Sequence, residues 1–142
     1  MDIISAISNV FGVARIQTLQ IFTFAEYIQT MGKGSFLGEF EQLVLLAVIR
    51  LEENAYGVTI RDTIDEYTGR DVIVGQVYAA LDRLEGKGLI RSRVSTPEPV
   101  PGGRARKLFK ITQNGRRALA ASRHMVDRMA DGLVIETGSG KR

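Results

Sequence analysis

The sequence predicts a mainly α fold carrying one small β-hairpin, and three observations predict it. Apolar residues recur at helical spacing in three successive stretches between Leu37 and Gly88. A proline- and glycine-rich interruption at 96–103 is flanked on both sides by short alternating runs. A last stretch of helical spacing then begins beside Thr112, a residue suited to cap a helix.

In chain order, residues 1–34 differ from the rest. Ile3, Ile4, Ile7, Val10, Phe11 and Ala14 form an apolar row at helical spacing, extended less cleanly by Ile21, Phe22, Ala25 and Ile28. Asp2 stands where a secretory signal needs positive charge. Arg15 and several Ser, Asn, Gln and Thr residues interrupt what would have to be ~20 consecutive apolar residues in a spanning helix. The expectation is an amphipathic helical extension that docks on its own domain, on a second copy or on a membrane surface, with no membrane partner required. Met31 offers a second start.

The next helix covers residues 37–51, with Phe40, Leu43, Val44, Ala47, Val48 and Leu51 expected inward. Leu45, Leu46 and Ile49 make it apolar nearly all round, which demands cover from several sides. Glu52, Glu53 and Asn54 break it, Tyr56 and Gly57 turn the chain, and a shorter helix follows over 58–67 with Val58, Ile60, Ile64 and Tyr67 expected inward. The third stretch, 73–88, places Val77, Ala80, Leu81 and Leu84 on one face and Gln76, Tyr78, Ala79, Asp82, Arg83 and Lys87 on the other. Gly86 and Gly88 end it. A hairpin follows, with Ile90 and Val94 in one strand and Leu108 alternating against Phe109 and Ile111 in the other. The closing helix runs from Thr112 to about Gly132, with Leu119, Val126 and Met129 at heptad-like separations.

Helix, helix, presentation helix, hairpin and closing helix make a winged helix-turn-helix with an added N-terminal helix and a C-terminal dimerisation helix. Its divisions are 1–34 for the extension, 35–112 for the DNA-binding domain, 113–136 for the closing helix and 137–142 for a tail. Charge agrees with that reading. Between Pro99 and Val126 there is no acidic residue, yet Arg104, Arg106, Lys107, Lys110, Arg116, Arg117 and Arg123 all fall there. The region 39–85 is acidic by contrast. Such asymmetry suits a polyanion partner, though a solvated charged face would read the same way. Absent cysteine excludes disulfides, thiolate metal sites and cysteine nucleophiles, and a lone His124 cannot make a histidine metal site. Neither metal nor cofactor is expected, and the absence of cysteine fits a reducing compartment, the cytoplasm. No nucleophile–base pair or phosphate loop points to an enzyme.

The chain resembles the PadR-like family of bacterial transcriptional regulators. Residues 37–49, then Tyr56-Gly57-Val58, then 77–90 with Tyr78, Leu81, Arg83, Leu84 and Glu85, carry the likeness. Gly102, Gly103 and Arg104, with 107–115, complete it. The resemblance implies a DNA-binding repressor, a homodimer on a palindromic operator, with Tyr78 in the recognition helix and the final helix joining the dimer. The short closing helix and the extra N-terminal residues depart from the family pattern. They suggest that the extension packs on the closing helix of the other subunit.

Double-stranded DNA is the expected partner. Gln76, Tyr78, Ala79 and Arg83 are the candidates to read bases, because Gln matches adenine, Arg matches guanine and Ala leaves room for a thymine methyl. Arg91, Arg93, Arg104, Arg106 and Lys107 are the candidates for backbone phosphates. Ile7, Phe11, Leu119, Val126 and Met129 are the expected dimer contacts. Space between the first helix and the terminal helices is where a small-molecule effector of unidentified chemistry would sit. The rival reading is a winged helix that binds protein rather than DNA, favoured by the acidic 39–85 region.

Overall fold

The computed structural model describes residues 36–97 and 99–138. The expected N-terminal helix, Ile7 and Phe11 included, lies outside the described residues. Within them the elements are α1 (Glu39–Leu51), a 3-10 turn (Glu52–Asn54), α2 (Gly57–Thr68), α3 (Val74–Gly86), β1 (Ile90–Val94), β2 (Lys107–Ile111) and α4 (Gln113–Ala130). The order is that of a winged helix, as the spacing predicts.

Helix α1 is the centre of the core. It packs against α2, α3, β2 and α4, which supplies the many-sided cover its composition demands. Val44, Leu45, Ala47 and Val48 are buried, and Phe40, Leu43, Leu46, Ile49 and Leu51 are half-buried around them. Leu45 therefore sits deeper than the expected inward residues Phe40, Leu43 and Leu51. Leu37 is buried just before the helix, its amide donating to the Ser122 hydroxyl of α4 at 3.0 Å.

The start of α2 is fixed by Thr59, whose hydroxyl accepts from the Tyr56 amide at 3.0 Å and donates to the Asn54 carbonyl at 2.7 Å. Gly57, Ile60 and Ile64 form its buried row. Val58 and Tyr67, expected inward, are exposed instead, and the Tyr67 ring lies under the Arg50 guanidinium, 4.0 Å from its carbon to the ring centroid. Helix α3 closes with the Leu89 amide donating back to the Leu84 carbonyl at 2.9 Å across Gly88, whose φ of +73° a residue with a side chain rarely adopts.

The hairpin is antiparallel with Ile90 opposite Ile111, Ser92 opposite Phe109 and Val94 opposite Lys107. Ile90, Phe109 and Ile111 enter the core, and the Phe109 amide donates to the Ala55 carbonyl at 2.8 Å, tying the wing to the α1–α2 connection. Val94 shares the register of Ile90 but is 71% exposed, because the strand runs past the edge of the core. Thr112 caps α4 by accepting from the Gly115 amide at 3.0 Å, as expected of that residue. A Cβ on Gly115 would overlap the Leu89 carbonyl and the Ile111 side chain, so only glycine lets α4 approach this closely.

Candidate nucleic-acid interface

Helix α3 is split around its axis. Val77, Ala80, Leu81 and Leu84 are 0% exposed, while Gln76, Tyr78, Ala79, Asp82 and Arg83 all face solvent. No other part of the described chain covers that outer face. Its chemistry is mixed: an amide, a phenol, a methyl, a carboxylate and a guanidinium. Among the described residues neither Asp82 nor Arg83 is held in an ion pair, and Arg61, one expected partner of Asp82, binds Asp62 at 2.6 Å instead.

Tyr78 is 44% exposed, and the reason lies on α2. Its ring rests on Gly57, where any Cβ would overlap the ring and its hydroxyl. The glycine that opens α2 therefore seats a side chain of α3 and fixes how the two helices cross. From the sequence Gly57 is a turn residue and part of the family likeness, with no sign of its contact with Tyr78; the close approach is tertiary and leaves no periodic signal.

Beyond Tyr78 a groove of about 550 Å³ separates α3 and the start of α2 from the wing. Tyr56, Val58, Tyr78, Arg104, Arg106 and Lys107 line it, with the Val100–Ala105 turn. The Arg106 guanidinium carbon stacks 4.6 Å from the Tyr56 ring centroid. Lys107 lies 5.6 Å from the Phe109 ring centroid and 4.0 Å from Glu85 at the end of α3. Three of the five expected wing cations thus share one groove with Tyr78, the residue of the outer face of α3 that lines it.

The other two do not. Arg91 and Arg93 alternate onto the opposite side of the hairpin, where they line a second hollow with Glu52, Glu53 and Lys110. Arg93 is bound to Glu53 at 3.1 Å. Arg91 stands directly across from Lys110, so that second face carries its own cationic pair, and Lys110 is a basic residue the sequence reading left out of the wing set.

The expected dimer contacts divide in the same way. Leu119 is only 5% exposed and belongs to the chain's own core, which corrects its assignment to a subunit interface. Val126 and Met129 are 57% and 78% exposed. Among the described residues no group of His, Asp and Glu could hold a metal, and no helix is long and apolar enough to cross a membrane.

The model of the transcriptional regulator PadR-like family matches residues 45–121, from the middle of α1 to the middle of α4. This chain belongs to the PadR-like family of transcriptional regulators. Solved structures agree. A PadR family transcription regulator from hypervirulent Clostridium difficile R20291 is 26% identical, with a TM-score of 0.55 over 66% of this chain and 95% of that one. A Streptococcus transcriptional regulator is 30% identical, with a TM-score of 0.52 over 64% of this chain and 84% of that one. A PadR family regulator from Eggerthella lenta DSM 2243 shares the fold at 22% identity, with a TM-score of 0.52 over 84% and 92% of the two chains. No curated protein matches the chain. The described elements make the winged-helix DNA-binding fold of that family, with the β1–β2 hairpin following α3.

Proposed function

We propose that this PadR-like regulator binds double-stranded DNA sequence-specifically, as a cytoplasmic homodimer on a palindromic operator, and represses transcription. The observation that carries the reading is the free outer face of α3 lying beside a groove that also holds Arg104, Arg106 and Lys107. A helix laid in the major groove presents such a face to base edges, and a wing beside it meets the flanking backbone. Gln76, Ala79 and Arg83 read bases, and Tyr78, braced on Gly57, forms the edge of that reading surface. Arg104, Arg106 and Lys107 take phosphates, releasing counterions and giving affinity without sequence information. Arg91, with Lys110, serves phosphates from the far side of the wing, while Arg93 must first leave Glu53. In the homodimer the two α3 helices lie roughly 34–36 Å apart, one helical turn of DNA.

A gel shift on the DNA upstream of the protein's own gene, repeated at rising salt, tests the proposal. Retardation that weakens linearly on logarithmic axes, and that exceeds retardation of random duplex at every salt, is the expected result. No shift even at the lowest salt would leave the fold serving a protein partner and would overturn the DNA reading.

A further inference from the structure

Arg70 with Glu39, Lys87 with Glu41 and Arg93 with Glu53 are ion pairs closed by hydrogen bonds of 2.6, 3.0 and 3.1 Å. The pair between Lys107 of β2 and Glu85 of α3 stays open. Lys107 Nζ stands 4.0 Å from Glu85 Oε1, beyond hydrogen-bond distance. The other carboxylate oxygen, Oε2, is buried and has no hydrogen-bond partner among the described residues.

This placement works against the fold on two counts. Glu85 lies in the last turn of α3, where a negative charge opposes the helix dipole. A buried oxygen without a donor also destabilises the folded chain. What the carboxylate does reach is a wing cation. Lys107 lines the groove beside Tyr78 together with Arg104 and Arg106, and among the described residues that line this groove none is acidic. Because the pair is open, the three ammonium donors of Lys107 are not taken up by Glu85 and stay available to a phosphate. The carboxylate itself is held in place, since Leu84 before it is fully buried and its own Oε2 is enclosed. A phosphate that reaches Lys107 therefore also meets the charge of Glu85.

We propose that Glu85 restrains Lys107: it is a positioning residue that weakens the hold of the wing on the phosphate backbone and leaves base recognition alone. The inference rests on the DNA-binding reading, and adds to it a residue that limits sequence-independent affinity. The ammonium is shared between a fixed carboxylate and an incoming phosphate, so specific and random duplexes are both bound less tightly by the same factor.

A double-mutant cycle in binding tests the restraint. Full-length wild type, Glu85→Gln, Lys107→Gln and the double variant are titrated with the DNA upstream of the protein's own gene and with random duplex. Glu85→Gln should tighten both about two- to fivefold, the size of one half-exposed ion pair, and leave their ratio unchanged. The gain should vanish in the presence of Lys107→Gln, because the carboxylate then has no ammonium to restrain. A gain that persists without Lys107 would mean that Glu85 only repels DNA at long range. A loss of affinity in Glu85→Gln would mean that the carboxylate presents Lys107 to DNA. Either result overturns the proposal. A purely structural role would shift the melting temperature of Glu85→Gln and leave the binding cycle additive, which overturns it as well. Glu85→Ala takes the place of Glu85→Gln if the latter fails to fold. Wild type that binds neither duplex at low salt overturns the DNA reading itself, whereas wild-type binding with an additive cycle overturns the role of Glu85 alone.

Discussion

Helices α3 and α4 are both half-buried, but they are divided in different directions. Helix α3 is divided around its axis: a fully buried apolar row faces an exposed row of small, hydrogen-bonding and charged residues along its length. Helix α4 is divided along its axis: its first half is packed to zero exposure at Ala118, Ala121 and Ser122, and its second half carries the same apolar row into solvent. The first division leaves a polar surface the shape of a helix, which suits a nucleic-acid groove. The second leaves an apolar overhang, which suits another protein segment. Two kinds of half-burial therefore leave two kinds of surface.

Substitutions can break or sharpen this contrast. Leu81→Ala removes a fully buried side chain of α3, and urea unfolding should register a loss of ~2–5 kcal/mol. A smaller loss would mean that α3 is held by something other than its apolar row. Gly115→Ala pushes a methyl against the Leu89 backbone, which cannot rotate away, and a loss of about 3 kcal/mol is expected, the upper part of the range for overpacking. Ser122→Ala leaves the buried Leu37 amide without an acceptor and should cost about 2 kcal/mol, again by urea unfolding. An unchanged midpoint would show that the boundary on α4 is not pinned there.

The coupling between two residues is the most diagnostic measurement for α3. Gly57→Ala displaces the Tyr78 ring, and Tyr78→Ala makes room for the new methyl. The double variant should be more stable than the sum of the single losses predicts, with a coupling of ~0.5–3 kcal/mol. Strict additivity would mean that the two residues do not bear on each other.

How much of this was legible beforehand follows the range of the interactions. The buried row of α3 and the capping of α4 by Thr112 are local, set by a 3.6-residue period and by one side chain reaching three residues on. Both could be read from the sequence. Leu119 could not be assigned, because periodicity marks an apolar face without saying which body covers it; here the chain's own core does. The expected wing set joined Arg91 and Arg93 to Arg104 and Arg106, yet the register that separates them depends on how a proline-rich tip closes the hairpin. Gly57 was invisible as a site residue for a similar reason, since its close neighbour Tyr78 arrives from another helix.

Equilibrium binding of Gln76→Ala and Arg104→Ala to operator and to random duplex, across a range of salt, tests the division of labour most directly. Gln76→Ala should narrow the gap between the two duplexes by ~1–3 kcal/mol and leave the salt slope unchanged. Arg104→Ala should weaken both duplexes alike and reduce the slope by about 1. The opposite pattern, with Arg104→Ala altering base preference and Gln76→Ala weakening every sequence equally, would contradict the assignment of reading to α3 and positioning to the wing.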